Sequence, residues 1–253
     1  MSRSAHGGVG KRRRRLSGTT WMFIGLLIFF ITAGGFTAIV KQIPRIPRGQ
    51  VGIVQWKSYA GVDDFKTADG NSGVTFENVE PADGPADKAG LVGGDVITTV
   101  DGHPVHNDDE MTSMMRSLPI GKTVDVVYLR DGETKNTKLT TISREELDRL
   151  GELYSSRPEG RGQFGYEDGE AERVEIPGTP MFGVQLGEIL ANRPADIAGI
   201  KQGDIVIEWD GVPIRTTDEF LSRVRRALPY STVKVLVIRN GARVEVPVKM
   251  GKQ

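Results

Sequence analysis

The sequence predicts a mixed α+β protein in which two domains of one kind follow an apolar N-terminal segment. Two observations support this fold class. The chain repeats itself at a spacing of 109 residues, and each copy combines short β-type runs, a brief helix, an amphipathic helix and a hairpin signal. The 253 residues suffice for two small domains with tails, each able to bury a modest core.

The repeat keeps glycine, proline and aspartate residues aligned without a gap. Its period is far longer than that of a solenoid, so the copies are expected to be separate domains of one kind. A weaker upstream match, between 48–53 and 161–166, requires an insertion or deletion. The gapless segments are 84–91 with 193–200, 94–97 with 203–206, 101–105 with 210–214, and 124–132 with 233–241.

Each copy predicts the same order of elements. A strand comes first, followed by a short helix that begins at proline and ends at glycine. Next come a buried strand, an amphipathic helix and a hairpin with an Asp-Gly or Asn-Gly turn. The elements span 74–79, 85–89, 96–100, 108–118, 124–129 and 135–142 in the first copy, and 184–190, 194–198, 205–209, 218–228, 233–238 and 243–248 in the second.

The segment between the copies predicts a short helix and a linker. Ser143 and Glu146 form a capping-box pattern, which favours a helix over about 144–154. The segments 155–162 and 165–172 are rich in glycine, proline, serine and charge, which is typical of a linker.

The charge is unevenly distributed, although the net charge is zero. Nine of the 33 Lys and Arg residues lie within 1–48, where there is no Asp or Glu, so the remainder carries 24 Lys and Arg against 33 Asp and Glu. This acidic body argues against a nucleic acid partner, because phosphate binding needs a basic face. The chain has no cysteine, which excludes a disulfide framework and a thiolate nucleophile.

An uncharged run at 16–40 predicts a transmembrane helix that acts as a signal anchor in the lipid bilayer. The part from Trp21 to Val40 would be about 30 Å long as a helix, which matches the hydrocarbon core of a bilayer. The basic cluster at 11–15 places the N-terminus in the cytoplasm and the rest of the chain outside. The alternative is a cleaved signal peptide, which would leave the remainder secreted.

The repeated pattern Pro-Ala-x-x-Ala-Gly-Leu/Ile-x-x-Gly-Asp-x-Ile/Val-x-x-x-Asp-Gly-x-Pro-Val/Ile resembles the core of bacterial PDZ domains, of the kind found in HtrA envelope proteases. Asp83-Gly84 and Val92-Gly93 depart from that family's pattern.

The predicted organisation is a basic cytoplasmic tail at 1–15, the transmembrane helix at 16–40, a Pro-rich spacer at 41–48, a first PDZ domain at 49–143, a helix and linker at 144–160, and a second PDZ domain at 161–251.

The resemblance implies that each domain is a partly open β-barrel with two helices. It also implies that a peptide adds as a strand between the second strand and the long helix. The physical basis is that an exposed strand edge leaves N–H and C=O groups that an extended peptide can satisfy. A glycine-containing turn can present further N–H groups to a terminal carboxylate.

The site residues follow from position in this layout. For the loops that would bind the peptide carboxylate, named below, the alternatives are 59–62 and 181–184. An apolar stripe on the long helix is equally expected of a helix that faces the core. Because no polar group marks these pockets, a ligand with an apolar C-terminal residue is expected. The predicted carboxylate loops are Gln50, Val51, Gly52 and Ile53, and Gln163, Phe164, Gly165 and Tyr166, and the predicted groove-facing helix residues are Met111, Met115 and Leu118, and Phe220, Val224 and Ala227.

No catalytic residue, metal site or cofactor is expected, and the chain is predicted not to be an enzyme. Gly70-Asn71-Ser72-Gly73 resembles the nucleophile segment of trypsin-like serine proteases, but a serine nucleophile needs a histidine base and an orienting carboxylate. The three histidines are His6, in the predicted tail, and His103 and His106, in and after a predicted turn. Their spacing matches no standard metal motif.

The leading expectation is a membrane-anchored tandem PDZ protein that binds C-termini or extended segments of exported proteins, as an adaptor or scaffold in envelope protein quality control. The expected location is the bacterial inner membrane, crossed once, with the PDZ domains in the periplasm. One alternative is a catalytic or non-catalytic component of an envelope serine protease system. Another is a structural component of a secretion complex, since type II secretion also uses inner-membrane proteins with one span and a PDZ domain.

Overall fold

The computed structural model describes residues 58–62, 64–167 and 169–253. The predicted cytoplasmic tail, transmembrane helix and spacer therefore lie outside the described residues. Among the residues described, no helix is both long and apolar enough to cross a bilayer.

The first copy is an open antiparallel sheet with two helices. Its strand order is β1-β2-β3-β5-β6, and β4 pairs with β3. The elements are β1 (Lys66–Thr67), β2 (Val74–Thr75), α1 (Pro85–Lys88), β3 (Val96–Val100), β4 (His103–Pro104), α2 (Asp108–Ser117), β5 (Thr123–Arg130) and β6 (Glu133–Thr140).

The second copy repeats this design after a connecting helix, α3 (Arg144–Ser155), which begins at the predicted Ser143 cap. Its strand order is β13-β12-β10-β9-β8, with β11 on β10, and a separate pair joins β7 to β14. The elements are β7 (Gly162–Gln163), β8 (Ala171–Glu175), β9 (Phe182–Leu186), α4 (Pro194–Ala198), β10 (Ile205–Trp209), β11 (Val212–Pro213), α5 (Thr217–Arg226), β12 (Thr232–Arg239), β13 (Ala242–Lys249) and β14 (Gly251–Lys252).

The mixed α+β class is confirmed, and so is the pair of helices in each copy. Within the described ranges the sheets are open and no closed barrel forms. The hairpin turns also lie where Asp-Gly and Asn-Gly predicted them. Asn240 and Gly241 have φ of +51° and +79°, the left-handed pair that a tight antiparallel hairpin requires.

Two local predictions were wrong. The predicted strand at 74–79 pairs only at Val74–Thr75, because Phe76 and Val79 enter the core from a loop and not from a ladder. The predicted linker at 165–172 is largely part of the second copy. Tyr166 lies in its hydrophobic core, and β8 begins at Ala171.

A buried carboxylate–arginine pair joins the short helix of each copy to its hairpin. In the first copy, Asp95 accepts hydrogen bonds from Nε and Nη2 of Arg130, both at 2.6 Å, and from the backbone N–H of Val92 at 2.9 Å. Arg130 also donates to the carbonyl of Gly90 at 2.8 Å, just after α1. Burial raises the pKa of the Asp95 carboxyl, and the hydrogen bonds from Arg130 act in the opposite direction.

The second copy contains the same arrangement 109 positions later. Arg239 donates to Asp204 at 2.7 and 2.6 Å and to the carbonyl of Gly199 at 2.8 Å. Asp204 also accepts from the backbone N–H of Lys201 at 2.8 Å. The repeated aspartate and arginine therefore have the same structural role in both copies.

The two copies belong to one unit, Val54–Gln253, and pack directly against each other. The centre of their contact is Glu219 on α5, whose side chain is fully buried. One carboxylate oxygen accepts from the backbone N–H groups of Val79 and Gly93, at 3.1 and 3.2 Å, and the other accepts from Nε of Arg223 at 2.7 Å. A carboxylate of the second copy therefore satisfies two backbone donors of the first.

Other polar contacts surround Glu219. Arg215 binds Asp131 of the first copy through two hydrogen bonds of 2.6 and 2.7 Å. The Thr216 hydroxyl donates to the carbonyl of Glu77, and Ser222 donates to Glu80 at 3.0 Å. This interface holds α5 against the first copy along one of its faces.

We expect Asp95→Ala to lower the free energy of unfolding by about 3–5 kcal/mol, because it leaves the largely buried Arg130 guanidinium without its partner. Urea unfolding of the full chain measures the loss. The matched control is Asp125→Ala, which removes an exposed pair with Lys138 and should cost less than about 1 kcal/mol. Equal losses in the two variants would contradict the proposed role of Asp95.

We expect Glu219→Gln to weaken the contact between the copies by about 1–3 kcal/mol, because the amide N–H₂ would face a donor. Limited proteolysis should then cut the segment after α3 faster, and thermal unfolding should begin earlier. Glu245→Gln is the control, since Glu245 pairs with Lys234 on the exposed surface. Unchanged proteolysis of the Glu219 variant would refute this account.

Candidate functional site

A groove of about 380 Å³ lies beside α5 in the second copy. One wall is the predicted loop, and all four of its residues, Gln163, Phe164, Gly165 and Tyr166, line the groove. The other wall is α5. It contributes Leu221, Val224 and Arg225, and the remaining lining residues are Arg161, Gly162, Glu167, Leu190 and Gln253.

The backbone of this loop is oriented by bonds to the rest of the second copy. The carbonyl of Phe164 accepts from the N–H of Ala195 at 2.8 Å, and the carbonyl of Gly165 accepts from the N–H of Leu190 at 3.1 Å. Within the described part of the chain, the N–H groups of Phe164 and Gly165 donate to no backbone carbonyl. Two donors next to each other are therefore available to an acceptor in the groove.

Gly165 is required at its position in the loop. Its φ is +96°, and a Cβ atom built there would overlap the side chain of Arg193, the residue before α4. Any other residue would be strained and would push the loop away from α4. The spacing between the loop and the groove thus depends on this glycine.

The first copy has an equivalent groove of about 730 Å³, which is lined by residues 58–62. The carbonyl of Ala60 accepts from the N–H of Ala86 at 2.8 Å, which is the counterpart of the bond between Phe164 and Ala195. Tyr59 pairs with Ile142 as Gln163 pairs with Gly251. Loop 59–62, the alternative in the sequence analysis, is therefore the structural equivalent of loop 163–166.

Of the other two predicted loops, the first is not among the described residues and the second belongs to a strand. Gln50, Val51, Gly52 and Ile53, which the sequence alignment set opposite loop 163–166, lie outside the described residues. The alternative at 181–184 falls largely in β9. Since β9 pairs with β8 on one side and β10 on the other, its backbone groups serve the sheet.

Gly61 in the first loop has the same constraint as Gly165. Its φ is +76°, and an added Cβ would lie 2.9 Å from Cδ of Pro85 at the start of α1. The N–H groups of Ala60 and Gly61 also lack a backbone acceptor among the residues that the structure describes. The two copies thus present the same pair of backbone donors.

The predicted helix residues divide between groove and core. Met115 and Val224 line the grooves, whereas Met111, Leu118 and Phe220 are buried in the two cores without lining a groove. Ala227 follows α5, and its carbonyl accepts from the N–H of Gly162 at 3.0 Å, which closes one end of the groove.

Sequence reasoning missed Thr112 and Leu221, which line the first and second grooves. Both are half-buried and lie one position after a fully buried residue of the apolar stripe. They share a helix face with Met115 and Val224, three residues later. The groove therefore follows the margin of the apolar stripe, and the stripe itself marks the core.

The premise that no polar group marks these pockets was wrong. Arg161 and Arg225 line the second groove against a single acidic residue, Glu167. The first groove is lined by Asp64 and Glu80 and by Lys66 and Arg144, so its charges balance. The second groove has an excess of positive charge, which favours an anionic chain end.

The segment that resembles a protease nucleophile forms a local turn. The Ser72 hydroxyl donates to the carbonyl of Asp69 at 2.8 Å. Nδ1 of His106 lies 2.9 Å from a carboxylate oxygen of Glu110 at the start of α2. Across 58–62, 64–167 and 169–253, no cluster of three or more His, Asp or Glu residues is arranged to hold a metal ion.

Curated relatives of this chain are bacterial proteases. A probable periplasmic serine endoprotease, DegP-like, of Pseudomonas fluorescens is 25% identical over 235 residues, covering 84% of this chain and 48% of that protein. The periplasmic serine endoprotease DegP of Salmonella typhimurium is 26% identical over 198 residues, covering 78% and 38%. The magnetosome formation protease MamE of Magnetospirillum gryphiswaldense is 28% identical over 199 residues, covering 67% and 26%. The chain spans about half or less of the length of these relatives.

Solved structures with similarity to this chain include two peptide complexes. The HtrA-type protease AlgW with a decapeptide is 17% identical, with a TM-score of 0.36 over 50% of this chain and 40% of that one. The HtrA3 PDZ domain bound to a phage-derived ligand, FGRWV, is 18% identical, with a TM-score of 0.30 over 34% of this chain and 85% of that one.

The family model described as PDZ domain matches the chain twice, at 59–141 and 163–250. These two segments contain the two six-stranded sheets, their helices and most of the lining of both grooves. They also make up more than half of the sequence, so the chain belongs to the PDZ domain family.

Proposed function

We propose that this chain binds C-termini or extended segments of exported proteins in its two PDZ grooves by β-strand addition. The observation that carries the proposal is the pair of loop N–H groups in each copy, at Ala60 and Gly61 and at Phe164 and Gly165, which have no backbone acceptor among the described residues. They lie on the wall of a groove whose other wall is a helix. A terminal carboxylate satisfies such donors, and the rest of the peptide fills the groove.

The two grooves are proposed to differ in the ligands that they prefer. In the second, Arg161 and Arg225 add positive charge to the end that holds the carboxylate. In the first, Met115 and Leu147 provide apolar surface, and Arg144 lies over the Tyr59 ring at 5.5 Å. An apolar C-terminal residue suits the first groove, while the second should depend more strongly on the free carboxylate.

The cellular role that we propose is a membrane-anchored adaptor or scaffold in the bacterial envelope, without catalytic activity of its own. Relatives named as periplasmic support a location of the PDZ domains on the periplasmic side of the inner membrane. The uncharged segment 16–40 with its basic flank supports the anchor.

A second candidate is a subunit or regulator of an envelope serine protease. The observation that favours it is that the curated relatives named above are proteases and are longer than this chain. In that case, addition of this chain should change the rate at which an envelope protease cleaves a peptide substrate. An adaptor acting alone would bind the same peptides without changing that rate.

We expect the full chain to bind members of a library of peptides with free C-termini, and amidation of a bound peptide to weaken binding about tenfold or more. The reason is that amidation removes a charge from hydrogen bonds worth about 1.5–3 kcal/mol. Fluorescence anisotropy with labelled peptides measures the effect. Equal affinity of the acid and amide forms would show that the loop N–H groups do not hold a carboxylate.

Gly165→Ala should abolish peptide binding to the second groove and leave the first unaffected, because the added Cβ overlaps Arg193. Gly61→Ala should do the reverse. The matched control is Gly178→Ala, which has a similar φ of +77° but open space around the added Cβ. If Gly178→Ala weakens binding as much as Gly165→Ala, backbone strain explains the loss and the loop has no special role.

We expect no cleavage of unfolded casein by the full chain alone, because the Ser72 hydroxyl is engaged in its own turn. Gel electrophoresis of casein after prolonged incubation measures this. Cleavage that is lost in Ser72→Ala would contradict the proposal that the chain is not an enzyme.

A further inference from the structure

A separate cavity of about 220 Å³ lies between the two PDZ domains. The first domain contributes Glu80 to its lining, the connecting helix α3 contributes Tyr154, and α5 contributes Arg225 and Arg226. The other two arginines of the lining are Arg157 and Arg161, which lie in the segment between α3 and β7. None of the sequence predictions or the proposed peptide contacts uses the inner part of this cavity.

The charges around this cavity are unbalanced. Four arginines line it, against Glu80 as the single acidic residue in the lining. One carboxylate oxygen of Glu80 is engaged by the Ser222 hydroxyl at 3.0 Å. The lining therefore has an excess of positive charge that an anion would neutralise.

The two inner arginines keep donors without partners. Arg157 uses its Nη1 and Nη2 atoms to bind the carbonyls of Arg226 and Arg225 at the end of α5, at 2.8 and 3.1 Å. Arg226 makes only one long bond, from Nη1 to Asp87 at 3.3 Å. Nε of Arg157 and Nη2 of Arg226 are buried, and neither has a hydrogen-bond partner within the described residues.

The two outer arginines connect the cavity with the exterior. Arg161 and Arg225 are exposed, and each lines both this cavity and the second peptide groove. An anion that approaches this side of the protein meets the exposed guanidinium groups first. Arg157 and Arg226 then lie deeper, with their unused N–H groups.

We propose that this interdomain cavity, formed by Arg157, Arg161, Arg225 and Arg226, binds a small oxyanion with phosphate or carboxylate chemistry. Guanidinium groups present planar N–H donors that match the geometry of such oxygens. The anion would bind guanidinium groups of the lining and neutralise their excess charge. Because residues of both domains line the cavity, the bound anion would also stabilise their contact. This inference does not rest on peptide binding in either groove.

The test is isothermal titration calorimetry of the full chain with two probes, inorganic phosphate and succinate, at constant ionic strength set by chloride. We expect single-site binding of at least one probe, with an increase in the unfolding temperature that follows occupancy. Binding of phosphate alone would identify a phosphate site. Binding of succinate alone would identify a site for carboxylates, such as acidic side chains.

The variants locate the site. Arg157→Gln combined with Arg226→Gln should weaken binding about tenfold or more, since each removes a charged hydrogen bond. Arg161→Gln combined with Arg225→Gln changes only exposed side chains and should also weaken binding. This variant tests the site even if the inner double variant does not fold. Arg243→Gln, an exposed arginine on β13, is the control and should bind as the unaltered chain does.

Two results would overturn the proposal. One is that neither probe binds at millimolar concentration, which would mean that water satisfies the buried donors. The other is that binding persists unchanged in both double variants, which would place the anion elsewhere on the protein. Peptide anisotropy measured on the Arg157→Gln/Arg226→Gln variant shows whether the grooves remain intact, because neither residue lines a groove.

Discussion

The carboxylate of Glu219 is the interaction on which the arrangement of this protein depends. It is fully buried, and it accepts from two backbone N–H groups of the first domain and from Arg223 of its own helix. A buried charge is stable only when its hydrogen bonds are satisfied, and here the donors come from both domains. The position of α5 is therefore constrained by the first domain as well as by the core of its own domain.

This constraint matters because α5 has a different neighbour along each of its faces. Phe220 packs in the aromatic core of its own domain, Leu221 and Val224 line the second groove, and Glu219 faces the other domain. The helix is ten residues long, so these faces are only a few residues apart. The first domain has a different core behind its groove, with Met111 and Met115 at positions where the second uses Phe220 and Val224.

Much of the fold follows from the repeated sequence, because the repeat places equivalent core residues in similar environments in both copies. The strands at 96–100 and 205–209 lie where the pattern predicts them, and the Asp95–Arg130 and Asp204–Arg239 pairs are separated by the repeat spacing. Among the described residues the counterpart of loop 163–166 is loop 59–62, and the sequence could not align these two loops for a specific reason. Val74 lies 12 positions after Val62, whereas Val184 lies 18 positions after Tyr166, so the gapless register does not extend to the loops.

The groove residues were harder to predict because apolarity alone does not distinguish a groove from a core. Met111 and Phe220 belong to the same stripes as Met115 and Val224, yet they lie deeper in the domains. By residue type, Thr112 could not be separated from ordinary surface, nor Leu221 from a residue of the apolar stripe that faces the core. The interdomain arginines gave no signal either, since their proximity arises only when α3 and α5 pack together.

The docked arrangement of the domains has a consequence for any partner with two tails. Because both grooves belong to one unit held together by Glu219, Arg215 and Thr216, the distance between them is a fixed property of this chain. The gain in avidity from engaging both grooves would then depend on the length of the partner segment that joins its two tails. It is greatest when the flexible segment between its tails matches that distance, and it falls when the segment is shorter or much longer.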